Sequence, residues 1–262
     1  MPAFGPVSRY WCPSCGETTL TEELVRDRRT SILRGAGPST APVSIPQATR
    51  TPLSATSTNG AQPFNSPAVT VVTGSTLVVA LQSLTTGFGS DGVTWNGIAM
   101  TLVHAHSVSN SDFGLYVIQN VPATATAAVS ADFSSFGDSS RAAMIVTMLT
   151  SVPAASLDKK SVTNGTGTTV TAAATGPLGQ QFEIALVFVG FEGPSTDGAE
   201  TGLAGGFSDG QTAGTSGGLA TSNETLREYF RFITSGADPA FNAIFPVGRD
   251  WNASTSTYMD LS

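Results

Sequence analysis

The chain has 262 residues, of which 40% are hydrophobic and only 12% charged, and its net charge is −7. That length and apolar content suffice for a sizeable core, which excludes a disordered chain, and the acidic balance argues against general nucleic-acid binding. The acidity is uneven: residues 1–50 hold six Arg against four acidic residues, and the remainder holds six basic and fifteen acidic ones. A slightly basic arm on an acidic body suits docking against acidic neighbours, further copies of the same chain included.

The opening Met1-Pro2-Ala3-Phe4-Gly5-Pro6 lacks a basic-then-apolar signal pattern, and apolar runs such as Ile184–Val189 are far too short to span a bilayer. The expectation is a protein made in a cytoplasm, without a membrane partner. Asn164 and Asn252 fit the glycosylation pattern, which carries no weight without a secretory route.

In chain order, residues 1–30 contain Cys12-Pro13-Ser14-Cys15-Gly16 and a short helical candidate with capping-box spacing between Thr19 and Glu22. Residues 31–66 are rich in Pro, Ser, Thr, Gly and Ala and have few side chains for a core, so residues 1–66 read as an extended arm. From residue 67 the pattern turns to short runs rich in Val, Thr, Ile, Leu and Phe. They are Ala68–Thr73, Thr76–Leu84, Val93–Trp95, Ile98–His104, Phe113–Gln119, Ala125–Phe133, Ala142–Thr150, Val170–Ala174 and Phe182–Phe191. Their spacing of ten or so residues between Gly, Asn, Ser and Pro clusters is a sandwich or barrel signature. Asn96-Gly97 between two runs predicts a hairpin, with Asn164-Gly165 a second candidate. Gly193–Ser222 reads as loop. Asn223–Thr234 fits either a helix face or a strand, and its Tyr-Phe-Arg-Phe-Ile stretch favours the strand. Ala240–Val247 and Thr257–Leu261 complete the set. The expected fold is all-β: an antiparallel β-sandwich over residues 67–262, with a jelly-roll winding, behind the N-terminal arm.

Several of these segments resemble a β-sandwich module of bacteriophage virion structural proteins. The resemblance rests on Thr76-Leu77-Val78-Val79-Ala80, the hairpin Val93–Val103, Leu115-Tyr116-Val117, Val121–Thr126, and the later Asp250-Trp251-Asn252-Ala253. It covers about two thirds of the chain and leaves residues 1–66 outside. It implies a non-catalytic virion protein assembled in the host cytoplasm: a capsid decoration or head-fibre subunit, or alternatively a minor tail protein. The Pro content and net positive charge of residues 1–66, which the resemblance does not cover, add the expectation that this arm attaches the body to capsid or tail subunits and that copies of the chain associate as homo-oligomers. A carbohydrate-binding module recognising a host surface glycan is the alternative from another class.

Tyr10-Trp11-Cys12-Pro13-Ser14-Cys15-Gly16 is the sharpest local motif and has half the ligand set of a structural zinc site. His104 and His106, the only histidines, stand two apart on a predicted strand and so share a face. Cys12, Cys15, His104 and His106 could close a four-ligand site; two Cys pairs meeting across an interface, free thiols and a local disulfide are the other readings. Thioredoxin-type redox chemistry wants a βαβ setting that this chain lacks. No phosphate loop or calcium loop occurs, and Asp112, Asp132, Asp138 and Asp158 read as turn or strand-end residues. Trp95 and Trp251 are candidate sugar platforms, with packing inside the fold as the commoner role of such residues.

Overall fold

The computed structural model describes residues 47–60, 63–84, 92–132, 141–235 and 239–261, all within one compact unit, Ile45–Ser262. Cys12, Cys15, the helical candidate at Thr19–Leu24 and Asp138 lie outside the described residues.

The strands in chain order are β1 (Thr49–Thr58), β2 (Phe64–Asn65), β3 (Val69–Val71), β4 (Thr76–Ser83), β5 (Val93–Trp95), β6 (Ile98–Ala99), β7 (Thr101–Val108), β8 (Ser111–Ile118), β9 (Ala125–Ala127), β10 (Val129–Ala131), β11 (Ala142–Thr150), β12 (Leu157–Ala172), β13 (Glu183–Glu192), β14 (Thr201–Ala204), β15 (Ser208–Gly214), β16 (Glu224–Ile233) and β17 (Phe241–Met259). The fold is all-β and antiparallel, as the sequence predicts. The described residues add only two short 3-10 turns, at Ser195–Asp197 and Ala220–Ser222.

The first eleven strands pair in a nested way: β1 with β11, β2 with β10, β3 with β9, and β4 with β8. That is the pairing of a long hairpin folded back on itself, with β5 to β7 at its tip. It yields a five-stranded central sheet, ordered β1-β11-β4-β8-β7, and a four-stranded front sheet, ordered β2-β10-β5-β6, with β3-β9 as a separate ribbon. The tip contains the predicted hairpin. Asn96 and Gly97 both take positive φ, 48° and 75°, which a two-residue type I′ turn between β5 and β6 requires.

The remaining strands form a back sheet, ordered β12-β17-β13-β16-β15, with β14 pairing β17. The central sheet is therefore covered on both faces. Leu77, Val79, Leu81, Met144 and Val146 face Trp95, Val129 and Phe64 of the front sheet. Val78, Ala80, Phe113, Leu115 and Ile145 face Ile184, Leu186, Phe188 and Leu226 of the back sheet. Every residue of β4 and β8 is buried, which explains why these strands read as continuous apolar runs rather than alternating ones.

A third core lies on the outer face of the back sheet. The first half of β17 pairs the end of β12 and β14, and Phe241 packs on Tyr229 with ring centroids 4.8 Å apart. Tyr229 belongs to β16, two strands away from β17 in the sheet order, so the β12–β17 ribbon folds back over its own sheet. Both strands bend together: β12 breaks register at Gly167, whose φ of +118° favours glycine, and β17 passes Pro246 and Gly248 beside it.

Three expectations change. Thr49–Thr58, placed in the arm by its Pro and Ser content, is an edge strand hydrogen-bonded to β11. Asn164-Gly165 is not a hairpin, because β12 runs straight through it, opposite Asn252 and Trp251. Gly193–Ser222 is not all loop, since it contains β14 and β15.

Candidate functional site

His104 and His106 sit half-buried on β7 and point the same way, as their spacing requires. Burial depresses His104 to a pKa of about 4, helped by the nearby Lys160 ammonium and by His106. Lys160 Nζ donates to Val103 O at 2.9 Å, which ties β12 to the β7 edge. The pair thus faces a cation, and among the described residues no group of three or more His, Cys, Asp or Glu is arranged to hold a metal ion. Trp95 and Trp251 are both buried, 0% and 5% exposed, so neither offers a sugar platform. Asp112 and Asp158 are each the second residue of a strand, and Asp132 directly follows β10.

A shallow surface cleft opens where the end of β13, the turn at Ser195–Asp197 and the bend of β17 meet. Its apolar wall is Phe191 against Phe245, ring centroids 4.3 Å apart. Its polar wall is Arg227 and Arg249. Arg227 donates to Glu200 at 2.7 Å and lies 5.7 Å from the Phe245 ring centroid; Arg249 donates to Asp197 at 2.7 Å. Behind Arg227, Asp209 donates a hydrogen bond to Glu200. That shared proton, together with burial, raises Asp209, whereas Glu200 is held low despite its own burial by this bond, its backbone bond and the Arg227 charge.

A feature that no sequence pattern announces is a polar seam between the central and back sheets. Glu224 Oε2 accepts from Ser111 Oγ at 2.7 Å and from Gln82 Nε2 at 3.0 Å, all buried. Burial pushes Glu224 up to about 8, reinforced by the charges of Glu192 and Asp112 and only partly offset by the two hydrogen bonds. Nearby, Arg141 reaches Asn223 Oδ1 and donates to Gly217 O at 2.6 Å. Further along β16, Arg50 of β1 pairs with Glu228 through both carboxylate oxygens, and its guanidinium sits 4.5 Å over Phe230. Edge strand β1 is in this way fastened to the back sheet as well as to β11.

The seam residues lie far apart in sequence, so only the topology reveals the cluster. Neither a family model, nor a curated protein, nor a solved structure matches this chain.

Proposed function

We propose that this chain is a non-catalytic virion structural protein of a tailed bacteriophage or phage-like particle, as a capsid decoration or head-fibre subunit attached through its N-terminal residues. The observation that carries the reading is the nested pairing of β1 with β11, β2 with β10, β3 with β9 and β4 with β8. We read this as a jelly-roll winding, an architecture used repeatedly in viral shells and in lectins. The back sheet then thickens the roll into a stack whose central sheet is buried on both faces. A charge-poor chain of this build suits lifelong packing against neighbours. Because β1 belongs to the body, the attaching segment in this reading ends near residue 44. The reading is tested by separating particles from free protein on a density gradient. The chain should band with particles at a fixed ratio to the major shell protein. Recovery only in the soluble fraction would count against it.

A second reading is glycan binding, on the virion or apart from it. The Phe191–Phe245 wall facing two arginines favours it, because sugars are held by apolar faces flanked by fixed hydrogen-bonding groups. A glycan array probed with the parent and with Arg249→Ala decides it: signal lost in the variant supports the reading, and a blank array removes it.

A further inference from the structure

Thr147 of β11, Gln211 of β15 and Glu228 of β16 meet within the seam. Thr147 and Glu228 are 0% and 1% exposed, and Gln211 is half-buried. Thr147 Oγ1 donates to Glu228 Oε1 at 2.8 Å. Gln211 Nε2 lies 3.2 Å from Thr147 Oγ1, 3.3 Å from Glu228 Oε2 and 3.0 Å from Val146 O. These neighbours all accept, which sets the nitrogen of the Gln211 amide on this side and leaves its carbon one bond further away. A hydroxyl nucleophile, a carboxylate base and an acyl carbon thus meet at one part-buried place, three of the groups that acyl transfer needs.

We propose that Thr147 and Gln211 become joined by an ester bond that the protein forms on itself. Glu228 takes the Thr147 hydroxyl proton at Oε1, and Oγ1 adds to Cδ of Gln211. The Cδ–Nε2 bond then breaks, and Nε2 leaves as ammonia after receiving the proton back from Glu228. One C–O bond forms, one C–N bond is lost, Glu228 ends as it began, and nothing is oxidised or reduced. One carboxylate oxygen stands at the nucleophile and the other at the leaving group. Arg50 is a positioning residue: it holds both of those oxygens.

The backbone is shaped to make this contact. β15 breaks register with β16 between Asp209 and Thr212, a bulge that falls at Gly210-Gln211; bulges re-aim a side chain in this way. A Cβ on Gly210 would come within 2.9 Å of both Arg50 and the Glu228 carboxylate, so this position stays bare where the ion pair abuts the strand. The held geometry supplies the high effective concentration that an unactivated amide demands, and burial of Thr147 keeps water from the product. Gln211 keeps partial exposure, which gives ammonia a way out. The product would staple the central sheet to the edge of the back sheet. It is a single self-modification and not a turnover, so it stands apart from the structural reading above.

The test is mass spectrometry of the folded full-length chain. The parent should be lighter than its sequence by one ammonia, and a tryptic digest should contain the Thr147 peptide linked to the Gln211 peptide. Thr147→Ser, which keeps the hydroxyl, should also link; Thr147→Val, which keeps the shape, should have full mass and no linked peptide. Succinimide formation at an Asn-Gly pair sheds the same mass without joining two peptides, so the linked peptide decides. A folded parent with full mass, or with ammonia loss but no linked peptide, overturns the proposal.

Discussion

Glu192 and Glu224 stand directly opposite each other on neighbouring strands β13 and β16, both buried, with Asp112 close enough to add its charge at Glu224. Like charges in such a cross-strand position repel, and burial raises both groups, Glu224 to about 8. Glu183 is pushed up to about 7, by burial first and then by sharing a proton with Asp158. The folded state therefore holds protons that the unfolded chain releases above the ordinary carboxylate range. Stability falls as pH rises from about 4.5, and the loss continues to about 8. His104, depressed to about 4, works oppositely, but only up to its ordinary value of 6.5. Between pH 6.5 and 8 these raised carboxyl groups are the titrating groups among the described residues, and the decline they cause should approach about 1.4 kcal/mol per pH unit for each group still titrating. Urea unfolding across this range measures it, and Glu224→Gln should flatten the curve. A stability that rises from pH 6.5 to 8 would show the seam to be ionised in the fold.

Gly165 lies where a turn was expected, yet its role is close approach. A Cβ there would stand 2.5 Å from the Trp251 ring, which is 5% exposed and part of the third core. Gly165→Ala must displace the indole, at a cost of about 1–3 kcal/mol. A lowered melting temperature together with red-shifted tryptophan emission is the expected outcome; unchanged emission and melting would contradict the packing.

Arg50 and Glu228 form a buried pair, 8% and 0% exposed at their side chains. Removing one partner leaves the other charge stranded, so Arg50→Ala should cost about 3–5 kcal/mol. The double variant Arg50→Met, Glu228→Leu should recover much of that. Chemical denaturation of the three proteins gives the comparison, and a single variant as stable as the parent would contradict the geometry.

What could be read from the sequence depends on what each strand must satisfy. The strands β4, β8, β11 and β13 are apolar because two layers cover them, and the β5–β6 hairpin announces itself through the φ demands of Asn96 and Gly97. β1 escaped notice because an edge strand tolerates proline: Pro52 sits beside a register shift. Only the end of β12, from Val170, is legible; residues 157–169 are a polar edge stretch containing an Asn-Gly pair that pairs instead of turning. His104 and His106 do share a face, as a period of two dictates. The seam was not legible, since Thr147 and Glu228 are 81 residues apart and only the stacking of two sheets joins them.

Truncation separates the body from the proposed attaching segment. Gln47 N and Ala48 N both donate to Asp260 at 2.7 Å, so the body is tied down from residue 47 onward. Removing residues 1–44 should leave a soluble β protein with an unchanged melting temperature. Removing residues 1–66 strips β1 from β11 and deletes Arg50, which leaves an open sheet edge and an unpaired Glu228. That protein should aggregate or melt far lower. Circular dichroism melts of the two truncations check the claim, and equal stability would remove β1 from the body.

In the proposed function, the folded body is held in a particle by the residues preceding it. The most direct test is incorporation in cells that make both the full-length chain and the chain lacking residues 1–44, distinguished by mass in purified particles. Full-length chain should be present in fixed ratio to the shell protein, and the shortened, folded chain should be absent. Equal incorporation of the two, or absence of both, would contradict it.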